Sequence, residues 1–251
     1  METKAAPPRP ARYAIVDATR GAAIVLMFVY HFSWDLTYFG FAEFDIFTDW
    51  RWVSFARFIA GLILLVMGVS QVLARARAFT ARSFFRRLAI IAGAAALVSA
   101  GTYMMDPRSY VFFGILHHVA LASVLLAGLI HLPNAALAGL GALCLAAPVL
   151  SGGAVFHADW LVWLGLSAAN VLSVDYLPMI PWFGVPMLGV VVGRWLVAAG
   201  PATALLDWQP IGTIARLVRW AGRHSLMLYL IHQPILFGSL YAFVWSRAYF
   251  G

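Results

Sequence analysis

Charge is scarce in this sequence. Asp, Glu, Lys and Arg make up 11% of its 251 residues, where a soluble domain carries about a quarter. Apolar residues reach 63% and the mean hydropathy is +0.86. That balance excludes a soluble globular protein and reads as a polytopic membrane protein. Long polar stretches are missing too, so no separate soluble domain is expected. Cysteine is down to Cys144, which excludes an intramolecular disulfide and leaves the redox compartment unread. No repeat of fixed period occurs. There is no His-Glu-x-x-His and no pair of histidines spaced i,i+4, so nothing points to a metal site.

What is present is a series of apolar runs, about 14–34, 53–74, 84–105, 110–131, 134–151, 177–199 and 224–245. Each is long enough to be read as a span, which needs roughly 20 apolar residues. The expected fold is therefore an all-α integral membrane protein with about seven transmembrane helices plus interfacial helices. Residues 1–13 read as a cytoplasmic tail and 14–251 as a single polytopic domain. Lys4, Arg9 and Arg12 before the first run imitate a signal peptide. The run is too long and carries Asp17 and Arg20, so it reads as a retained span. The stretch 160–170 is apolar but short, and reads as interfacial or re-entrant.

The net charge is +7 and the pI is near 10. The basic residues sit in loops, including Arg75, Arg77, Arg82, Arg86, Arg87, Arg194, Arg216, Arg219 and Arg223. Asp35, Glu43, Asp45, Asp49, Asp106, Asp159 and Asp175 fall on the opposite side. The asymmetry places the N-terminus in the cytoplasm and implies an odd number of spans. It accounts for the basic pI through the bilayer, without nucleic acid. Residues 211–223 place Ile211, Ile214, Val218 and Ala221 on one face and Arg216, Arg219 and Arg223 on another. They read as an amphipathic helix on the cytoplasmic surface.

Charges within an apolar span cost several kcal/mol each and need a reason. The first run holds four polar groups in one stripe: Asp17, Arg20, His31 and Asp35. Arg20 and His31 share a helical face, roughly 16 Å apart along the axis. Neutral imidazole suits a general base, Asp35 lies one turn from His31, and a guanidinium suits a phosphate. Farther along, His117 and His118 are adjacent and point about 100° apart; His117 is favoured on motif position. His232 precedes Gln233 and Pro234, so either could satisfy backbone groups that the proline frees. Asp175 precedes Pro178 and Pro181, where a carboxylate complements a helix start or, beside Trp182, meets an acceptor. Ser70 and Gly61 read as packing residues.

The segment D17-A-T-R-G-A-A-I-V-L-M-F-V-Y-H31 resembles the first span of the transmembrane acyltransferase superfamily. It is most similar to bacterial members of the heparan-α-glucosaminide N-acetyltransferase catalytic-domain family. F58-I-A-G61, M67-G-V-S70, G114-I-L-H-H118, D175-Y-L-P-M-I-P-W-F-G184 and G222-R-H-S-L-M-L-Y-L-I-H-Q-P234 continue the resemblance in order. It implies transfer of an acyl group, acetyl above all, from cytoplasmic acetyl-CoA or another acyl-CoA. The implied acceptor is a glycan or amino sugar of the cell envelope, across a bacterial inner membrane. His31 and Asp35 would be catalytic, and Arg20 with Asp17 would stand on the acyl-CoA side. His117, Asp175, Trp182 and His232 would be placed for substrate. The oligomeric state stays open. The rival readings are a proton-coupled transporter using the Asp/Arg/His stripe, a metal or haem enzyme built on the histidines, and a membrane scaffold.

Overall fold

The computed structural model describes residues 13–78, 80–150, 158–167, 171–199 and 208–250. The tail at 1–12 lies outside the described residues. The elements are α1 (Ala14–Tyr38), α2 (Trp50–Ala78), α3 (Ala81–Met105), α4 (Ile115–Leu129) and α5 (Asn134–Leu150). A 3-10 helix (Asp159–Leu164) follows, then α6 (Met179–Trp182), α7 (Gly184–Ala199), α8 (Thr213–Arg223) and α9 (Ser225–Phe250). The chain is all-α, with no strand among the described residues.

Five stretches are long and apolar enough to cross a membrane: 14–38, 50–76, 81–105, 179–199 and 225–249. The two other expected spans are shorter apolar helices, Ile115–Leu129 and Asn134–Leu150. At 15 residues, α4 is about 22 Å long, short of the roughly 30 Å hydrocarbon layer. It starts late because residues 106–114 are not helical. This segment lies beside the extended stretch 171–178. Val174 N–H donates to the Ser109 carbonyl and Leu177 N–H to the Phe113 carbonyl, both at 3.1 Å. The Ser173 hydroxyl donates to the Tyr110 carbonyl at 3.0 Å. Irregular backbone at membrane depth is tolerated only when protein satisfies it in this way. Of the stretch 160–170, residues 160–164 belong to the 3-10 helix, and 168–170 lie outside the described residues.

The bundle is centred on α2 and α7, with α5 packed on α7 and α1 on α2. Met67, Val72, Leu126, Leu137, Phe183, Met187 and Val190 form the main apolar core. Close approach of α2 and α7 is carried by Gly68 and Gly189, each of which sits against the other helix's backbone. Gly61, expected to pack, instead has open space where its Cβ would be.

The second close approach positions the site. The last turn of α8 lies against α1 so tightly that a Cβ on Gly222 would strike the Asp17 carbonyl, and one on Gly21 the Val218 carbonyl. Small residues make such backbone contact available, as between membrane helices generally. Helix α8 is amphipathic as expected, but the face on α1 is the small one, Ala221 and Gly222. Ile211, Ile214 and Leu217 remain exposed, where lipid would cover them. From this anchor α9 continues alongside α1 in the same direction, and their contacts rise in step: Phe28 with His232, Asp35 with Gln233, Tyr38 with Phe237.

Candidate active site between the first and last helices

The polar stripe of α1 faces α8 and α9 along its length. At the basic end, Arg20 Nη1 meets Asp17 Oδ1 at 3.3 Å and the Gly222 carbonyl at 3.4 Å. Its Nη2 donates to Ser70 Oγ at 2.8 Å. Arg20 therefore ties α1 to α2 and α8, and Ser70 is a hydrogen-bond partner beyond its packing role. Asp17 is buried and pairs with Arg20.

About 25 Å along α1 from Ala14, the His31 ring meets His232 edge to face, with centroids 4.8 Å apart. Tyr30 packs on the other side of His31 at 5.6 Å. His31 makes no hydrogen bond among the described residues and stays partly accessible. His232 is buried and stacks on Phe28 at 5.3 Å. Its Nδ1 lies 2.5 Å from the Tyr229 carbonyl. A carbonyl only accepts, so Nδ1 carries the proton and Nε2 presents a lone pair. The carbonyl that Pro234 frees is that of Leu230, so His232 does not make the repair expected of it.

Asp35 is fully buried, and its Oδ1 accepts from Gln233 Nε2 at 2.7 Å. No hydrogen bond joins it to His31 among the described residues. Three buried atoms here have no hydrogen-bond partner: His232 Nε2, Asp35 Oδ2 and Gln233 Oε1. Because Gln233 donates through Nε2, its Oε1 is an acceptor, so all three orphans await donors. Buried polar groups are almost always paired, so these three unpaired acceptors make this stretch of α1 and α9 the candidate site.

Asp175 closes the site from the loop before α6. Its Oδ2 accepts from the Ile115 N–H and from the Tyr229 hydroxyl, each at 3.1 Å. The helix start it complements is that of α4 rather than of the helix that follows it. Tyr229 in turn packs against His232, with centroids 5.7 Å apart. Direct contacts thus link Asp175 to Tyr229, Tyr229 to His232 and His232 to His31, while Gln233 and Asp35 form a separate pair on the same two helices.

His117 and His118 are employed differently. His117 Nδ1 accepts from the Gly114 N–H at 3.2 Å, which forces its proton onto Nε2, 3.1 Å from Ser99 Oγ. Both nitrogens are committed, and the Ser99 hydroxyl donates onward to the Val111 carbonyl. His118 is fully buried, with Nδ1 3.3 Å from the Leu177 carbonyl. Trp182 sits in α6, which packs on α5, α7 and the 3-10 helix, away from α1. Among the described residues no three His, Cys, Asp or Glu side chains are grouped to hold a metal.

Sequence reasoning passed over Tyr229 and read Gln233 only as a partner for the backbone that Pro234 frees. Gln233 was legible as the neighbour of His232, but nothing local says that it reaches Asp35. Tyr229 lies one turn before His232, a spacing shared by many core aromatics.

The model of the family described as heparan-alpha-glucosaminide N-acetyltransferase, catalytic, matches residues 12–234. The chain belongs to that family. No curated protein and no solved structure matches it. The match runs from residue 12 to Pro234, so it takes in both histidines of the pair. Family membership makes this a membrane protein of an acetyltransferase type.

Proposed function

We propose that the protein transfers an acyl group, acetyl by preference, from acyl-CoA arriving at the basic end to a glycan or amino-sugar acceptor at the acidic end. His31 acts as the general base. The acceptor's amine or hydroxyl attacks the thioester carbonyl carbon, and its proton passes to the His31 imidazole. The C–S bond breaks, the CoA thiolate leaves, and the imidazolium returns the proton to it. A positioned base of this kind contributes about 10²–10⁴-fold.

The observation that carries this reading is the set of unpaired acceptors around His31. Asp35 Oδ2, Gln233 Oε1 and His232 Nε2 call for a ligand rich in N–H and O–H donors, as an amino sugar is. Arg20, at the basic end of the stripe, would attract the phosphates of CoA. The roughly 16 Å from Arg20 to His31 suits the extended pantetheine arm.

The test is transfer of labelled acetyl from acetyl-CoA to glucosamine by the purified full chain in detergent, compared with His31→Ala. Undiminished transfer by the variant refutes the assignment of the base. Proton flux into liposomes with no acyl transfer supports the transporter instead.

A further inference from the structure

Two histidines on facing helices each leave a nitrogen unmatched, in opposite senses. His232 on α9 gives its Nδ1 proton to the Tyr229 carbonyl, and its Nε2 is a buried acceptor with no donor. His31 on α1 touches Tyr30 and His232 through its ring and makes no hydrogen bond among the described residues. A neutral imidazole always carries one N–H, so His31 holds a donor with no acceptor. The two rings stand edge to face with centroids 4.8 Å apart. At that spacing a rotation of the His31 ring, which no hydrogen bond among the described residues holds, brings one of its nitrogens within reach of Nε2.

The plain account of His232 is a core histidine that fills space against Phe28 and Tyr229. An apolar side chain would fill that space without stranding a lone pair, which is unfavourable in a buried site. His232 is also braced. Tyr229, whose carbonyl takes the Nδ1 proton, is itself anchored through its hydroxyl to Asp175 at 3.1 Å. Asp35, one turn along α1, does not compete for His31. Its Oδ1 accepts from Gln233, and no hydrogen bond joins it to His31 among the described residues.

We infer that His232 is a positioning residue for the general base: its Nε2 accepts the N–H of His31 and so fixes which His31 nitrogen presents a lone pair to the substrate. Of the three unpaired acceptors, Asp35 Oδ2 and Gln233 Oε1 are then left to the donors of the substrate. As the substrate amine or hydroxyl attacks the thioester, its proton goes to the free His31 nitrogen. The other nitrogen keeps its proton and its bond to Nε2, which becomes charge-assisted while His31 is an imidazolium. The CoA thiolate then takes the proton from the first nitrogen, and His232 gains and loses none. A neutral partner suits the task, because a second cation would repel the imidazolium. The consequence for transfer rests on the acyl-transfer reading; the bond itself does not.

The experiment takes two measurements on the full chain purified in detergent. Nitrogen NMR of isotope-labelled histidine reports which ring nitrogen carries the proton, and His31→Gln identifies the His31 signals. Wild type should show one His31 tautomer. His232→Phe, which keeps a ring in place and removes Nε2, should show both in exchange. Both tautomers in the wild type, or unchanged His31 signals in His232→Phe, overturn the inference whether or not transfer is seen. The second measurement is acetyl transfer from acetyl-CoA to glucosamine. His232→Phe should lower kcat about tenfold or more with KM unchanged for either substrate. His232→Gln, whose amide oxygen stands near the place of Nε2, should restore most of the rate. In a His31→Ala background His232→Phe should cost nothing further, because it acts through His31. A raised KM with unchanged kcat, or losses that add to those of His31→Ala, overturn the inference. Should His232→Phe not fold, His232→Asn takes its place: its amide still donates to the Tyr229 carbonyl but ends short of His31. A fully active His232→Phe beside an impaired His31→Ala sinks this inference and leaves the acyl-transfer reading standing. A single His31 tautomer that His232→Phe releases, with no transfer by the wild type, does the reverse.

Discussion

The rings of His31 and His232 meet edge to face at 4.8 Å, joining the first helix to the last. One ring is locked by the Tyr229 carbonyl and the other makes no hydrogen bond among the described residues. Two chemically identical side chains are thereby placed differently: His232 is held in one tautomer, and neither ring nitrogen of His31 is committed to a hydrogen bond among the described residues.

His31→Ala and His31→Gln should each lower transfer about 10²–10⁴-fold while the protein folds normally. Single-turnover assays with labelled acetyl-CoA check this, with thermal unfolding as the control. A full rate in His31→Gln removes His31 from the chemistry.

Gln233→Leu takes away the donor to the buried Asp35 carboxyl. Leaving a buried polar group unpaired costs about 1–3 kcal/mol, so the melting temperature should fall. Asp35→Asn with Gln233→Leu removes the charge as well and should recover part of the loss. An unchanged melting temperature in Gln233→Leu would show that this bond does not matter to the fold, and a double variant no more stable than Gln233→Leu that the loss does not come from the unpaired charge.

Asp175→Ala removes the acceptor for both the Ile115 N–H and the Tyr229 hydroxyl. The start of α4 loses its capping partner, at about 0.5–2 kcal/mol. Tyr229→Phe removes only one of the two bonds and should cost less. Hydrogen exchange at residues 114–118 should quicken in Asp175→Ala and stay near wild type in Tyr229→Phe.

Gly222→Ala drives a methyl group into the Asp17 carbonyl. Overpacking of this kind costs about 1–3 kcal/mol. It also shifts the carbonyl that Arg20 holds at 3.4 Å, so the register of α9 on α1 should change. Gly61→Ala, where the Cβ meets open space, is the matched control and should leave stability and transfer unchanged.

The comparison of α4 with α1 shows what could be read in advance. Helix α1 was legible in its extent and in its stripe, because hydrophobicity and the 100° period are local properties of 25 consecutive residues. Helix α4 was expected from about 110 and begins at Ile115. Its start is set by Asp175, 60 residues away, and no local pattern encodes that bond. His117 and His118 make the same point: which neighbour is committed depends on Ser99 and Leu177, supplied by other segments.

The sequence by itself determined that this is an all-α membrane protein, that one end of its bundle is basic, and that four polar groups line one face of the first span. Those follow from composition, charge placement and helical period, which need no knowledge of packing. The tertiary structure decided what the stripe faces. Backbone contact between Gly21 and the end of α8 fixes the register of α9, and that register brings His232 to His31 and Gln233 to Asp35. Residues at opposite ends of the chain meet only through packing, which is why the site became visible in the fold.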